Sequence, residues 1–141
     1  MPPPANILIV EDERILAENI KEFLGRHAPN VRLVSNGERA VEMLEHFSPD
    51  TVLMDYHLPG MNGLDTYSAM QQRNPTKIEC VMMTGDPSDD LPQTAISCGV
   101  RAVLAKPFSF AELLQSLDQP APEGLREAGK KADLSEEENE K

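Results

Sequence analysis

Four apolar runs in this chain each stop at a residue able to do phosphate or metal chemistry. Asn6–Val10 runs into Glu11 and Asp12, Val52-Leu53-Met54 into Asp55, residues 78–83 into Thr84, and residues 100–105 into Lys106. Crowded carboxylates repel one another unless a cation joins them, and an oxygen-only ligand set with vacant positions suits Mg2+. Lys106 adds a mobile positive charge, Thr84 a hydroxyl, and Gly85 a backbone N–H open to an anion. Together these groups could form an aspartyl phosphate, with Asp55 as nucleophile and Mg2+ spreading the charge of the transition state. Taken alone, Asp55 before the turn of Pro59, Gly60, Asn62 and Gly63 reads as well as an aspartate that caps a turn. The other run ends shift that balance.

Convergence of those ends requires a particular scaffold. The run before Asp55 is apolar without alternation, as a strand buried on both faces would be. Helical spacing of apolar residues follows in 14–27 (Ile15, Leu16, Ile20, Phe23, Leu24), in 38–47 (Ala40, Val41, Leu44, Phe47) and in 64–73, where Asn74-Pro75 stops the helix. A short strand over 31–34, closed by Asn36-Gly37, lies between the first two helices. After Thr84 a short helix is expected over 93–98, with Asp89 or Asp90 as its cap and Pro92 in its first turn. A last helix starts at Ser109, runs through Leu113, Leu114 and Leu117, and stops at Pro120. Five strands alternating with five helices imply a parallel sheet covered on both faces, because right-handed crossovers put the helices there. In such a sheet all carboxyl ends lie along one edge, where open α/β sheets bind their ligands. Strand order is not visible from periodicity.

The alternating unit occupies residues 5–119. Residues 120–141 are rich in Ala, Gly, Glu and Lys and too poor in apolar side chains to bury a face, so a disordered charged tail is expected. The whole chain has 141 residues, 40% of them hydrophobic, and a net charge of -11. That charge argues against a direct nucleic-acid surface, which needs clustered Lys and Arg. No apolar run approaches the ~18 residues of a membrane helix, so no membrane partner is expected. Cys80 and Cys98 have no CxxC spacing, which indicates neither a zinc nor a redox site and suits a cytoplasmic protein. Met54, Met61, Met70, Met82 and Met83 read as core filler, Tyr56 and Tyr67 as packing residues, and His27 and His46 stand alone.

The chain resembles the receiver domain of two-component response regulators. The likeness rests on Glu11-Asp12, on Leu53-Met54-Asp55 with Leu58-Pro59-Gly60-Met61-Asn62-Gly63, on Met83-Thr84-Gly85, and on Gly99 leading to Lys106-Pro107-Phe108. It implies a flavodoxin-like sheet in the order 2-1-3-4-5. By the same resemblance Asp55 accepts a phosphoryl group from a histidine kinase or histidine phosphotransfer protein. Asp12, Asp55 and the backbone carbonyl of His57 hold Mg2+, with Glu11 acting mostly through water. Lys106 contacts Asp55 and then the phosphate, Thr84 reports it, and the bond preceding Pro107 is cis. A stand-alone regulator is expected, acting on a downstream protein target or in a phosphorelay, without enzymatic turnover beyond slow autodephosphorylation.

Two departures carry weight. Val103 stands where receivers usually have an aromatic ring that moves with the hydroxyl residue, so the reading of activation falls to Thr84 and the segment after it. His57 and Asp86 occupy positions that tune phosphate lifetime in such domains; they either shield or position the attacking water or are exposed side chains of modest influence. Two other functions share part of this pattern. A phosphatase of the haloacid dehalogenase class needs a second aspartate where His57 stands, and a cap for which the chain is too short. A receiver-like interaction module that is never phosphorylated would not need the complete site.

Overall fold

The structure is a computed structural model and describes residues 4–86 and 90–118. The expected tail at 120–141, residue 119 of the expected domain, and Asp89 as a helix cap lie outside these residues. The elements are β1 Asn6–Val10, α1 Arg14–Leu24, β2 Asn30–Val34, α2 Gly37–Met43, β3 Thr51–Asp55, α3 Gly63–Gln72, β4 Glu79–Thr84, α4 Leu91–Ser97, β5 Ala102–Ala105 and α5 Phe110–Asp118. The strands form one parallel sheet in the order β2-β1-β3-β4-β5. Its order and helix count match the flavodoxin-like arrangement.

Period-2 alternation divides the strand residues between two cores. Leu8, Val10, Val52, Met54, Cys80, Met82 and Val103 pack with residues of α2, α3 and α4, while Ile7, Ile9, Leu53, Val81, Met83 and Leu104 pack with α1 and α5. All five residues of β3 are buried, as its unbroken apolar run requires of a central strand. Met54, Met70, Met82 and Met83 are fully buried, each such side chain contributing about 1.5–3 kcal/mol, and Met61 packs at the margin. On the other face Phe23 of α1 stacks on Phe110 of α5 with ring centroids 4.1 Å apart.

Capping explains most helix starts. Asn36 accepts from the Arg39 N–H and Asn62 from the Asp65 N–H, each at 2.8 Å. Ser109 and Glu112 form a reciprocal capping box, with Glu112 N–H donating to Ser109 Oγ and Ser109 N–H to Glu112 Oε1. Several boundaries differ from the sequence reading. α1 stops at Leu24 instead of 27 because the chain turns at Gly25, whose N–H reaches Lys21 O and whose successor Arg26 bonds Phe23 O. α2 ends at Met43, and tighter turns carry the chain to Phe47. β4 runs one residue further to include Thr84, β5 begins at Ala102, and α4 begins at Leu91, burying that side chain. Asp90 is the N-cap of α4 but makes no side-chain cap bond.

A buried arginine, unsuspected from sequence, ties the far end of the sheet together: Arg101 Nε donates to Ser116 O at 3.0 Å and its guanidinium lies 3.7 Å from Glu79. The two thiols differ as sharply. Cys80 is fully buried and burial pushes its thiol above the usual range, whereas Cys98 is exposed at the end of α4. Iodoacetamide at mildly alkaline pH is expected to label Cys98 alone in the native protein, and both residues in urea, as read by peptide mass spectrometry. Native labelling of Cys80 would show that β4 is less enclosed than described.

Candidate functional site

The parallel register sets the four chemically capable strand ends on one edge. Just beyond the strands, Glu11 N–H bonds Val34 O, Tyr56 N–H bonds Met83 O, and Lys106 N–H bonds Thr84 O, so the ladder continues into the site. Asp55 is paired in register with Met83, and Thr84 with Ala105. One carboxylate oxygen from each of Glu11, Asp12 and Asp55 falls within 4.8 Å of the others. Lys106 Nζ lies 2.9 Å from Glu11 Oε1 and 3.5 Å from Asp55 Oδ2. The ammonium therefore sits closer to Glu11 than to the residue the sequence reading paired it with.

Solvent access differs among these groups. The Glu11 side chain is 0% exposed and that of Asp55 6%, Lys106 keeps 19%, and Asp12 faces solvent. Burial raises the Glu11 carboxyl above its ordinary value, against the opposing pull of the Lys106 hydrogen bond. For Lys106, burial by itself disfavours the charged form, but the hydrogen bond to Glu11 and the charges of Glu11 and Asp55 outweigh it and the ammonium is held above its usual range. The three-carboxylate, oxygen-only donor set with one exposed member fits Mg2+, which retains waters and takes few protein ligands.

The loop after β3 is shaped by two glycines. Gly60 adopts φ of 78°, in the left-handed region that side chains avoid. Gly63 admits α3 against the end of β3, since a Cβ there would fall 2.6 Å from Asp55 O and 2.9 Å from Tyr56 Cα. The loop is closed by Gly63 N–H on Tyr56 O, and the His57 N–H points to Asp55 Oδ1 at 3.3 Å. Thr84 is fully buried and its Oγ1 accepts from the Asp86 N–H at 3.1 Å. Gly85 is open: among the described residues other than its chain neighbours, the nearest heavy atom to a Cβ there is Lys106 Cβ at 4.0 Å. His57 and Asp86 are exposed and border one cleft of about 240 Å³ between the β3–α3 loop and α4. Val103 is not part of this cluster; it is 7% exposed, opposite Met82, in the core that includes Ala95 of α4. The Lys106–Pro107 bond is cis.

With that geometry, the matches to known proteins are unambiguous. The response regulator receiver domain model matches residues 7–118, and the chain belongs to this family. The nitrate/nitrite response regulator protein NarL of Escherichia coli K12 is 32% identical over 121 residues, spanning 84% of this chain and 55% of its own. The transcriptional regulatory protein PdtaR of Mycobacterium tuberculosis H37Rv is 33% identical over 116 residues, or 82% and 56%. The chain thus spans about half the length of these curated relatives. Among solved structures, the signal receiver domain of a DNA-binding response regulator from Colwellia psychrerythraea 34H superposes with a TM-score of 0.73 at 27% identity, covering 82% of this chain and 96% of that one. Receiver domains bind Mg2+ at an acidic pocket and interact with histidine kinases and downstream targets; they are generally signalling domains without enzymatic activity. No helix among the described residues is long and apolar enough to cross a membrane.

Proposed function

We propose that Asp55 is the phosphoacceptor of this receiver domain, taking its phosphoryl group from a phosphohistidine on a histidine kinase or a histidine phosphotransfer protein. The observation that carries this reading is the cluster itself: three carboxylates within 4.8 Å and an ammonium set between two of them. An Asp55 carboxylate oxygen attacks phosphorus, the P–N bond breaks, and the imidazole departs with the electron pair and takes up a proton. Lys106 lies 3.5 Å from Asp55 Oδ2 and can follow the negative charge onto the incoming phosphoryl oxygens. Thr84 and the Gly85 N–H border the same edge and can donate to those oxygens, with room for them above Gly85. Asp12, Asp55 and the His57 carbonyl would hold Mg2+, with Glu11 at the margin, and the ion would supply neutralisation of the charge that accumulates there.

The output is a changed protein-binding surface, used on a protein target or in onward phosphotransfer in the cytoplasm. The net charge of -11 disfavours direct use of this surface on nucleic acid. With Val103 held in the core and lacking a ring, the signal runs from Thr84 through the Asp86 N–H bonded to it and on to α4. Incubation with acetyl phosphate and Mg2+ tests the acceptor: the intact protein should gain the mass of one phosphoryl group, and EDTA should prevent it. No gain with fresh donor and Mg2+ would instead favour a receiver-like module that works without phosphate.

His57 stands exposed beside Asp55, its ring edge-on to Tyr56 at 4.8 Å. In that place it restricts the approach of water to the acyl phosphate. His57→Ala is expected to shorten the phosphate lifetime by about three- to tenfold, read by following loss of the added mass after donor removal. An unchanged lifetime would take His57 out of the mechanism.

A further inference from the structure

The two ends of α4 are held in different ways. At its carboxyl end the chain turns at Gly99, whose φ of 99° is a conformation that side chains avoid. Gly99 N–H donates to Ile96 O at 3.0 Å, Val100 N–H to Ala95 O at 2.9 Å, and Arg101 N–H to Cys80 O at 2.7 Å, so the helix runs without slack onto the edge of β4. Two side chains from other elements close on the same turn. Lys77 Nζ donates to Gly99 O at 3.1 Å. The Tyr67 hydroxyl, reaching from α3, donates to Ile78 O at 2.8 Å and stands 3.5 Å from Gly99 O. Tyr67 therefore does more than pack: its ring is buried, and its hydroxyl joins α3, the residue before β4 and the end of α4.

The amino end has no such tie. Asp90 makes no side-chain cap bond, and among the described residues 90–94 form no hydrogen bond outside the helix and its caps. That end is held by the buried side chain of Leu91, and apolar contact is non-directional, so it permits sliding where a hydrogen bond does not. Asp90, Leu91 and Thr94 form one wall of the cleft of about 240 Å³ that has Tyr56 and Leu64 on the other.

We infer that Gly99 is the hinge of α4: Tyr67 and Lys77 pin the carboxyl end, and the amino end swings relative to Tyr56, across the cleft, when Asp55 is phosphorylated. This rests on the reading of Asp55 as phosphoacceptor and deepens it by placing the change of surface at Leu91 and Thr94 instead of along the whole helix. The trigger is the Thr84 hydroxyl, whose bond from the Asp86 N–H is disturbed when it turns to a phosphoryl oxygen. The seven residues of α4 make a lever of about 10 Å, so a tilt of about 10° at the hinge moves the free end by about 2 Å.

The test combines amide hydrogen exchange with amide NMR shifts in wild type, Tyr67→Phe and Lys77→Met. In the free wild-type protein the Val100 N–H should exchange at least about tenfold more slowly than the Thr94 N–H. Tyr67→Phe should speed Val100 exchange by about three- to tenfold, the worth of one hydrogen bond, and leave Thr94 and the β1 residues Leu8 and Ile9 unchanged. Lys77→Met, at an exposed position, should speed Val100 by about twofold and stands in should the Phe variant not fold. On adding beryllofluoride with Mg2+, which mimics an aspartyl phosphate, wild-type shifts at residues 91–94 should exceed those at 98–100 by about threefold, and the two sets should become comparable in Tyr67→Phe. The hinge is overturned if wild-type shifts at 98–100 match those at 91–94, or if Tyr67→Phe leaves Val100 exchange unchanged or speeds Leu8 and Ile9 equally. Should the Asp55 and Gly85 amides not respond to beryllofluoride, the acceptor reading fails, and the exchange rates of the free protein still decide whether α4 is pinned at Gly99.

Discussion

Asp55→Asn is expected to remove phosphate incorporation altogether, a fall of at least about a thousandfold in rate. The substitution is nearly isosteric, so the reason is chemical. An amide offers no anionic oxygen to attack phosphorus, and it withdraws one of the three clustered carboxylates proposed to hold the cation. The fold should not suffer. Asp55 sits at the end of β3 with 6% of its side chain exposed, and Lys106 keeps its closer partner, Glu11 at 2.9 Å. Removing one negative charge from three crowded together relieves repulsion, so the thermal midpoint at neutral pH should stay the same or rise. Retained phosphorylation in the asparagine variant would mean that the acceptor is another residue, and a collapsed midpoint would mean that Asp55 is structural.

Gly63→Ala should have the largest effect on stability, about 3 kcal/mol. The added methyl would lie 2.6 Å from Asp55 O and 2.9 Å from Tyr56 Cα, both backbone atoms that cannot step aside, and 3.1 Å from Met54 Cγ. Relief must come from moving the start of α3 away from the end of β3. That displacement also breaks the Gly63 N–H bond to Tyr56 O and shifts the carboxylate the site is built on. Urea unfolding should thus show a lowered midpoint with an unchanged slope, accompanied by weaker phosphorylation of the molecules that remain folded. Gly85→Ala is the natural control, since a Cβ there comes no closer than 4.0 Å to any neighbour outside its own chain segment. A Gly63→Ala protein as stable as wild type would show that α3 is not pinned at that point.

Much of this architecture could be read from residue order because each strand is a short apolar run and each helix a periodic one. That Glu11, Asp12, Asp55, Thr84 and Lys106 lie along one edge follows from parallel strands alone; their contact also needs β1, β3, β4 and β5 to be neighbours. The order β2-β1-β3-β4-β5 does not follow, since strands buried on both faces carry no mark of their neighbours. It was available only through the resemblance to receiver domains. Helix ends were misjudged where apolar spacing outlasts the helix: Phe47 is buried, but by turns after α2 and not by α2 itself. Ser109 was legible as a cap, and Glu112 three residues on completes a box whose S-x-x-E spacing is present in the sequence. The pairing of Lys106 with Glu11 was not legible. Which of two neighbouring carboxylates a lysine from β5 reaches depends on ångström-scale placement across the sheet edge, which sequence order does not encode.

The most direct test of Asp55 as acceptor is chemical mapping of the phosphoryl group. Protein phosphorylated with acetyl phosphate and Mg2+ is treated with sodium borohydride, which reduces an aspartyl phosphate to homoserine, and the peptides are sequenced by mass spectrometry. Homoserine at position 55, absent without Mg2+ or donor, is the predicted result. Homoserine at Asp12 or elsewhere, or none in protein that has demonstrably taken up phosphate, would contradict it.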